Sequence, residues 1–168
     1  MKKYILILTG VAVLAGFGIW SQKGRVTKTV PENKPVVSEA YIRVRTVLEK
    51  DGKGGGTLRF LIEPVGGGAQ TLSTFALEAM VNKELGVPVL NQGMVGAGWS
   101  FPLATAANKT VKLSGVYIST TAFVLSGEQE VVAVPVKNLG YDEIEVRLGD
   151  KNTMFLRKDA TKLKYKYE

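Results

Sequence analysis

The chain has 168 residues, with 22 lysines and arginines against 15 aspartates and glutamates, and it contains neither cysteine nor histidine. The absence of thiols and imidazoles excludes thiol nucleophiles, Ser-His-Asp triads, the common zinc sites and disulfides. The pI is 9.6, but the surplus positive charge lies in residues 1–25 and 157–168. The body between them is neutral, which argues against a nucleic-acid partner because a phosphate backbone requires a basic face on the fold.

Residues 1–25 are predicted to be a membrane segment. The run from Tyr4 to Trp20 carries no charge, follows Lys2 and Lys3, and as a helix measures about 25 Å, enough to cross a thin bilayer. The pattern favours an uncleaved single-pass anchor with an extracytoplasmic C-terminal domain; a cleaved signal, giving a secreted protein, stays open. The side chains predicted to contact lipid are Tyr4, Ile5, Leu6, Ile7, Leu8, Val11, Val13, Leu14, Phe17, Ile19 and Trp20.

Residues 26–39 are predicted to be a linker, and residues 40–168 one domain. The linker is polar, contains Pro31 and Pro35, and shows no apolar periodicity. The remaining residues, about 130, suffice for one core and are too few for two comfortable domains.

The domain alternates apolar and polar residues with period two, which is typical of half-buried antiparallel strands. Glycine-rich turns such as 51–56, 66–68 and 149–152 separate the alternating segments. Residues 52–57 resemble a phosphate-binding loop only superficially, and we interpret them as a hairpin connection. The predicted strands include 42–48, 57–63, 111–113, 116–125, 131–136, 144–148 and 162–167.

Two segments are less regular. Residues 71–82 fit an apolar stripe of a helix as well as a strand, and we interpret them as a strand because their neighbours are strands. Residues 83–98 are rich in glycine and are predicted to be a loop. Nine or ten short strands without a firm helix indicate an all-β, antiparallel two-sheet sandwich.

The order of these segments resembles a cohesin-type domain over residues 40–148. The resemblance is carried by an opening strand, the core strand 71–82, a glycine-rich excursion to Trp99, the segment 111–115, and residues 126–130 leading into 131–136. It implies a jelly-roll sandwich related to carbohydrate-binding modules. Cohesins of scaffold proteins bind a dockerin through one sheet face, and their relatives bind polysaccharide. This chain departs from the pattern by carrying one module and its own membrane segment.

Four aromatic residues are the candidate ligand-binding residues: Trp99, Phe101, Tyr117 and Tyr141. Trp99, between a glycine-rich loop and Phe101, is placed to stack on a sugar ring; the alternative is a tryptophan of the sandwich core. Asp142, Glu143, Glu145, Asp150 and Asn152 offer oxygen ligands but lack the spacing of a calcium loop, so no metal site and no cofactor are predicted.

We therefore expect a membrane-anchored extracytoplasmic module that engages a protein partner or a polysaccharide through a sandwich face or loops. We expect binding rather than catalysis, because no pair of catalytic groups has a recognisable spacing. The alternative is a structural envelope or secretion-assembly component that associates with itself through an edge strand.

Overall fold

The computed structural model describes residues 39–140 and 143–168. The predicted membrane segment, with its lipid-contacting residues 4–20, and the linker up to residue 38 lie outside the described residues, as do Tyr141 and Asp142. Among the described residues, no helix combines the length and the apolar character needed to cross a membrane.

The described chain forms fourteen strands and one short helix. In chain order they are β1 Tyr41–Lys50, β2 Gly56–Val65, β3 Gln70–Leu72, β4 Thr74–Val81, β5 Glu84–Leu85, β6 Val89–Leu90, α1 Gln92–Gly96, β7 Trp99–Ala107, β8 Thr110–Tyr117, β9 Phe123–Leu125, β10 Gln129–Lys137, β11 Val146–Leu148, β12 Met154–Leu156, β13 Lys162–Leu163 and β14 Tyr165–Tyr167.

These strands form two sheets. Sheet 1 has the order β14-β1-β2-β10, with β5 and β6 following one another along the far side of β10. Sheet 2 has the order β13-β12-β4-β8-β7, and β11 pairs with the second half of β4. A separate ribbon consists of β3 and β9. Every pairing is antiparallel except that of β1 with β14. The predicted all-β sandwich is confirmed.

The core lies between the two sheets and follows from the alternation in the sequence. On β2, Leu58, Phe60 and Ile62 are at most 1% exposed, while the residues between them face outward. Phe75 on β4 and Phe155 on β12 meet them from sheet 2, with their rings stacked at a centroid distance of 6.1 Å. Burial of these large side chains is the main force that holds the sheets together.

The predicted hairpin at residues 52–57 is confirmed. Strands β1 and β2 pair in register from Tyr41 and Val65 to Lys50 and Gly56. The Asp51 carboxylate accepts hydrogen bonds from the backbone N–H groups of Lys53 and Gly55, at 2.7 and 3.0 Å, and so orders the connection.

Residues 71–82 are strand, as interpreted, but they are interrupted at Ser73, whose N–H donates to Leu156 O at 2.9 Å. Residues 83–98 are more ordered than predicted, since they contain β5, β6 and α1. The Asn91 side chain caps α1 by accepting a bond from Met94 N at 3.1 Å, and Met94 is 1% exposed. The predicted strand 116–125 is wrong in its middle, because residues 118–122 form no strand.

The C-terminal segment crosses between the sheets. The sequence predicts one last strand with Leu163, Tyr165 and Tyr167 on its buried side. Instead β13 belongs to sheet 2 and β14 to sheet 1, where Lys164 O accepts a hydrogen bond from Ile42 N at 2.8 Å. Tyr167 is 36% exposed, so its predicted burial is wrong.

Candidate functional site

The outer face of sheet 1 carries several paired charges, with the exposed apolar side chains of Val47 and Val89 beside them. Arg43 Nη1 lies 2.8 Å from Glu63 Oε1, and Arg59 Nη2 lies 2.9 Å from Glu49 Oε2. Hydrogen bonding to Glu49, and then to Glu130, raises the pKa of Arg59 above its ordinary value. Covering these groups with a partner would remove their hydration without offering new bonds. Further ion pairs on this face join Arg43 to Glu168, Arg45 to Glu128 and Arg59 to Glu130.

The outer face of sheet 2 has a different chemistry. The strand register places one outward side chain from each of four strands in a row: Met154 pairs with Ala76, Ala76 with Ser114, and Ser114 with Leu103. This row carries no charge. Leu103 is 41% exposed and Met154 is 40% exposed, so both ends of the row offer apolar surface to a partner.

Two further apolar side chains extend this surface. Val116, one row away on β8, is 38% exposed, and Met80 near the other end of β4 is 51% exposed. An exposed apolar surface that spans neighbouring strands is typical of an interaction site. We call this surface the apolar face, and its members are Ala76, Met80, Leu103, Ser114, Val116 and Met154.

An ion pair lies within the apolar face, and Arg147, opposite Met80 on β11, lies at its rim. Glu78 on β4 is directly opposite Lys112 on β8, with Lys112 Nζ 3.4 Å from Glu78 Oε2. Asn152 Nδ2 donates a hydrogen bond to the same carboxylate oxygen at 2.9 Å. The pair gives the face a fixed charged position near its centre, and charges so placed contribute to the orientation of a partner more than to affinity.

The backbone at Glu78 explains why the loop between β11 and β12 lies beside this pair. Glu78 O accepts a hydrogen bond from Gly149 N at 2.8 Å, and Glu78 N donates to Thr153 Oγ1 at 3.2 Å. β11 and β12 pair with β4 on either side of Glu78, and the loop between them provides hydrogen-bond partners for the N–H and C=O groups of Glu78. It holds Asn152 and Met154 at the edge of the apolar face.

The apolar face contains an open depression of about 340 Å³. Its walls combine aliphatic side chains with the Glu78 and Lys112 pair, which suits the insertion of one side chain from a partner protein. Its lining residues include Ala76, Leu103, Lys112, Ser114, Asn152 and Met154.

A larger depression of about 580 Å³ runs along β13 and β14 beside Glu39. Part of its charged rim is engaged within the chain. Lys164 pairs with Glu39, and Lys166 Nζ lies 4.5 Å from the centre of the Tyr41 ring. We therefore place the candidate site on the apolar face.

The three predicted aromatic residues that the structure describes pack against the core. Trp99 is 3% exposed and packs against Phe75, Tyr117 and Phe123 at ring-centroid distances of 5.3 to 5.6 Å. This burial favours a role for Trp99 in the sandwich core over a role in stacking on a sugar ring. Tyr117 and Phe101 are half-buried and pack against the same core. Tyr141 lies outside the described residues.

Among the described residues, the side chains considered as calcium ligands do not form a group. Glu145 pairs with Arg147 at 3.3 Å, and Asn152 binds Glu78. Within 39–140 and 143–168, no three acidic side chains come together as metal ligands do.

Sequence reasoning missed the apolar face because its six members are spread over four strands, β4, β7, β8 and β12. Each looks like the outward residue of an alternating pattern, and only the register shows that they are neighbours. The one signal in the sequence is that methionine and leucine occupy outward positions where lysine or glutamate is usual.

No family model matches the sequence, and no curated protein matches it. Several solved cohesin structures are similar in fold. The sixth cohesin of scaffoldin B from Acetivibrio cellulolyticus, solved in complex with the Cel5 dockerin, is 12% identical with a TM-score of 0.57, over 78% of this chain and 95% of that chain. The seventh ScaB type I cohesin from Pseudobacteroides cellulosolvens is 10% identical with a TM-score of 0.54, over 76% of this chain and 86% of that chain.

A third similar structure is the non-cellulosomal cohesin of the archaeon Archaeoglobus fulgidus, which is 12% identical with a TM-score of 0.50, over 77% of this chain and 86% of that chain. The predicted resemblance is confirmed at the level of the fold. This chain has a cohesin-type fold.

Proposed function

Starting from this cohesin-type fold, we propose that the chain is a non-catalytic module that binds a protein partner through the apolar face of sheet 2. The observation that carries the proposal is the contrast between the two outer faces. On sheet 1 the exposed Val47 and Val89 are separated by the paired Arg59, whereas sheet 2 groups Met80, Leu103 and Met154 around the Glu78 and Lys112 pair. An apolar centre with few charges is the composition of a protein interface core.

The similar structures support a protein partner. The Acetivibrio cellulolyticus cohesin was solved with a dockerin bound. At 12% identity this likeness concerns the fold, and a shared fold is an analogy for function. We therefore propose a protein ligand for this chain without assigning its family.

We propose further that residues 1–25 tether this module to a membrane, with the domain on the extracytoplasmic side. The uncharged run from Tyr4 to Trp20 and the basic residues before it support this arrangement. A tethered module acts at the cell surface, where the linker would hold the apolar face available to a partner.

A polysaccharide ligand has weaker support. Sugar binding depends on an exposed flat aromatic face, and Trp99 has only 3% of its surface exposed. The apolar face carries no aromatic residue among its members. A protein partner fits its methionine and leucine side chains better, because these adapt to an irregular surface.

Site-specific photocrosslinking in the native host tests the proposal. A photoreactive amino acid replaces Ser114 at the centre of the apolar face, or Thr57 on the outer face of sheet 1 as the matched control. Both are half-buried hydroxyl residues in long strands. We expect a discrete protein adduct from position 114 and none from position 57. Adducts from position 57 alone, or none from position 114, would contradict the proposal.

A further inference from the structure

Strand β7 is an open edge of sheet 2. It runs from Trp99 to Ala107 and pairs with β8 on one side, and within the described part of the chain no strand pairs with its other side. Its nine residues include no charged side chain. Long uncharged edges are the ones at which sheets join.

The remaining edges of the described sheets are protected. β14 carries Lys166 and is only three residues long, β11 carries Arg147 and also has three residues, and β13 has two. β5 and β6 also have two residues each, and Pro88 lies between them. Short length, lysine and proline are the means by which natural sheets prevent edge pairing. β7 has none of these beyond Pro102, so its second half stays open.

The turn that joins β7 to β8 determines which backbone groups are free. Asn108 and Lys109 form a two-residue turn, both with positive φ, between the paired residues Ala107 and Thr110. In such a hairpin the flanking pair exchanges both hydrogen bonds, and the next pair exchanges none. The N–H and C=O groups of Ala104 and Ala106 therefore point away from β8.

We propose that a second copy of this chain pairs with β7, strand to strand and antiparallel, about a two-fold axis at Thr105. In this register Ala104 of each copy is opposite Ala106 of the other. The N–H and C=O groups of these two residues, which β8 does not use, then form hydrogen bonds with each other across the pair. Registers shifted toward the start of β7 bring in Pro102, which has no N–H to donate.

The side chains agree with this register. Leu103, Thr105 and Ala107 are exposed and stand on the outer side of sheet 2, while Ala104 and Ala106 pack toward the core. Two threonines meet at the axis, and no like charges are opposed, which suits pairing of identical strands. The joined sheets extend the apolar face across both copies. The self-association is independent of the proposed partner.

The chain contains no cysteine, so one introduced thiol reports on the pairing directly. In Thr105→Cys the two sulfurs lie across the axis, within reach of a disulfide, because residues opposite each other in such a pair are about 4.5 Å apart at Cα. In the control Ala107→Cys, on the same strand and face, identical residues are separated by about 14 Å along the strand and cannot be bridged.

We expect the full chain in detergent to form a covalent dimer under mild oxidation with Thr105→Cys and to form no covalent dimer with Ala107→Cys. Adding Ala106→Pro removes a free N–H that β8 does not use and should abolish the dimer band. Because proline can disturb the strand, Thr105→Lys provides a second test, with sedimentation as the readout: it should leave a monomer where the wild type is dimeric.

Equal crosslinking at positions 105 and 107, no crosslinking at position 105, or a dimer unaffected by both Ala106→Pro and Thr105→Lys would overturn the proposal. In host extract, an adduct of Thr105→Cys with another protein in place of itself would show that the edge receives a foreign strand, and it would exclude the second copy.

Discussion

Gly115 leaves room for Phe75 in the core. A Cβ at position 115 would lie 2.5 Å from Phe75 Cε1 and 2.8 Å from its Cζ. Phe75 is fully buried and is held by Trp99 and Phe155, so it has little freedom to move. We expect Gly115→Ala to lower the free energy of unfolding by about 1–3 kcal/mol, the usual cost of overpacking.

Urea denaturation measures this change, and Gly127→Ala is the matched control because a Cβ at position 127 would meet no atom within 4 Å. We expect the control to keep the wild-type midpoint or raise it slightly. Equal stability of Gly115→Ala and wild type would show that the packing of Phe75 is looser than its contacts indicate.

Tyr165 gives the domain a sensitivity to alkaline pH. Burial, and then the charge of Asp150, raises the pKa of the Tyr165 hydroxyl above its ordinary value of 10.0. The folded state therefore holds this proton more tightly than the unfolded state. The resulting stability is fully present below pH 10.0 and is lost as the pH rises above that value.

We expect the difference in unfolding free energy between wild type and Tyr165→Phe to be constant at neutral pH and to shift against the wild type as the pH rises above 10.0. Phenylalanine keeps the ring contact with Phe155 and removes the titrating group. Denaturation of both proteins across this range measures the difference. A pH-independent difference would contradict the assigned burial of the hydroxyl.

At the scale of elements, Thr153 fixes how β11 and β12 lie on β4. Its Oγ1 accepts the N–H of Glu78 at 3.2 Å, and the residue is 1% exposed. Thr153→Val keeps the shape but leaves that N–H without an acceptor. We expect a loss of about 1–3 kcal/mol in unfolding free energy, while Thr153→Ser, which keeps the hydroxyl, should lose less.

Hydrogen exchange of the Glu78 amide gives a local readout of the same contact. We expect faster exchange in Thr153→Val than in Thr153→Ser. Equal rates in the two variants would mean that the hydroxyl does not protect this part of β4.

The strands that the sequence predicts best are those with one face in the core and one in water. β1 and β2 are of this kind, and their alternation defines them. β7 was missed because Ala104 and Ala106 alternate with Leu103 and Thr105, which gives little contrast in polarity. The parallel pairing of β14 depends on a crossing between sheets at Lys164, and local alternation carries no signal for such a crossing.

For the whole molecule, the sequence predicted a sandwich and a binding surface but not which surface. Trp99 was the natural candidate because large aromatic rings serve both cores and ligands, and composition does not separate the two roles. The structure places it in the core. The division into a charge-paired sheet and an apolar sheet arises from strand order and register, which bring residues far apart in sequence side by side.

The central claim is that the apolar face of sheet 2 binds a protein partner. The most direct test measures the affinity of two variants of this chain for the protein that is crosslinked at position 114. Ser114→Arg places a long charged side chain at the centre of the apolar face, while Thr57→Arg makes the same change on the outer face of sheet 1. Titration calorimetry should show binding weakened by at least about tenfold in Ser114→Arg, a change of about 1.4 kcal/mol, and unchanged in Thr57→Arg. Unchanged binding in Ser114→Arg, or an equal loss of binding in Thr57→Arg, would contradict the account.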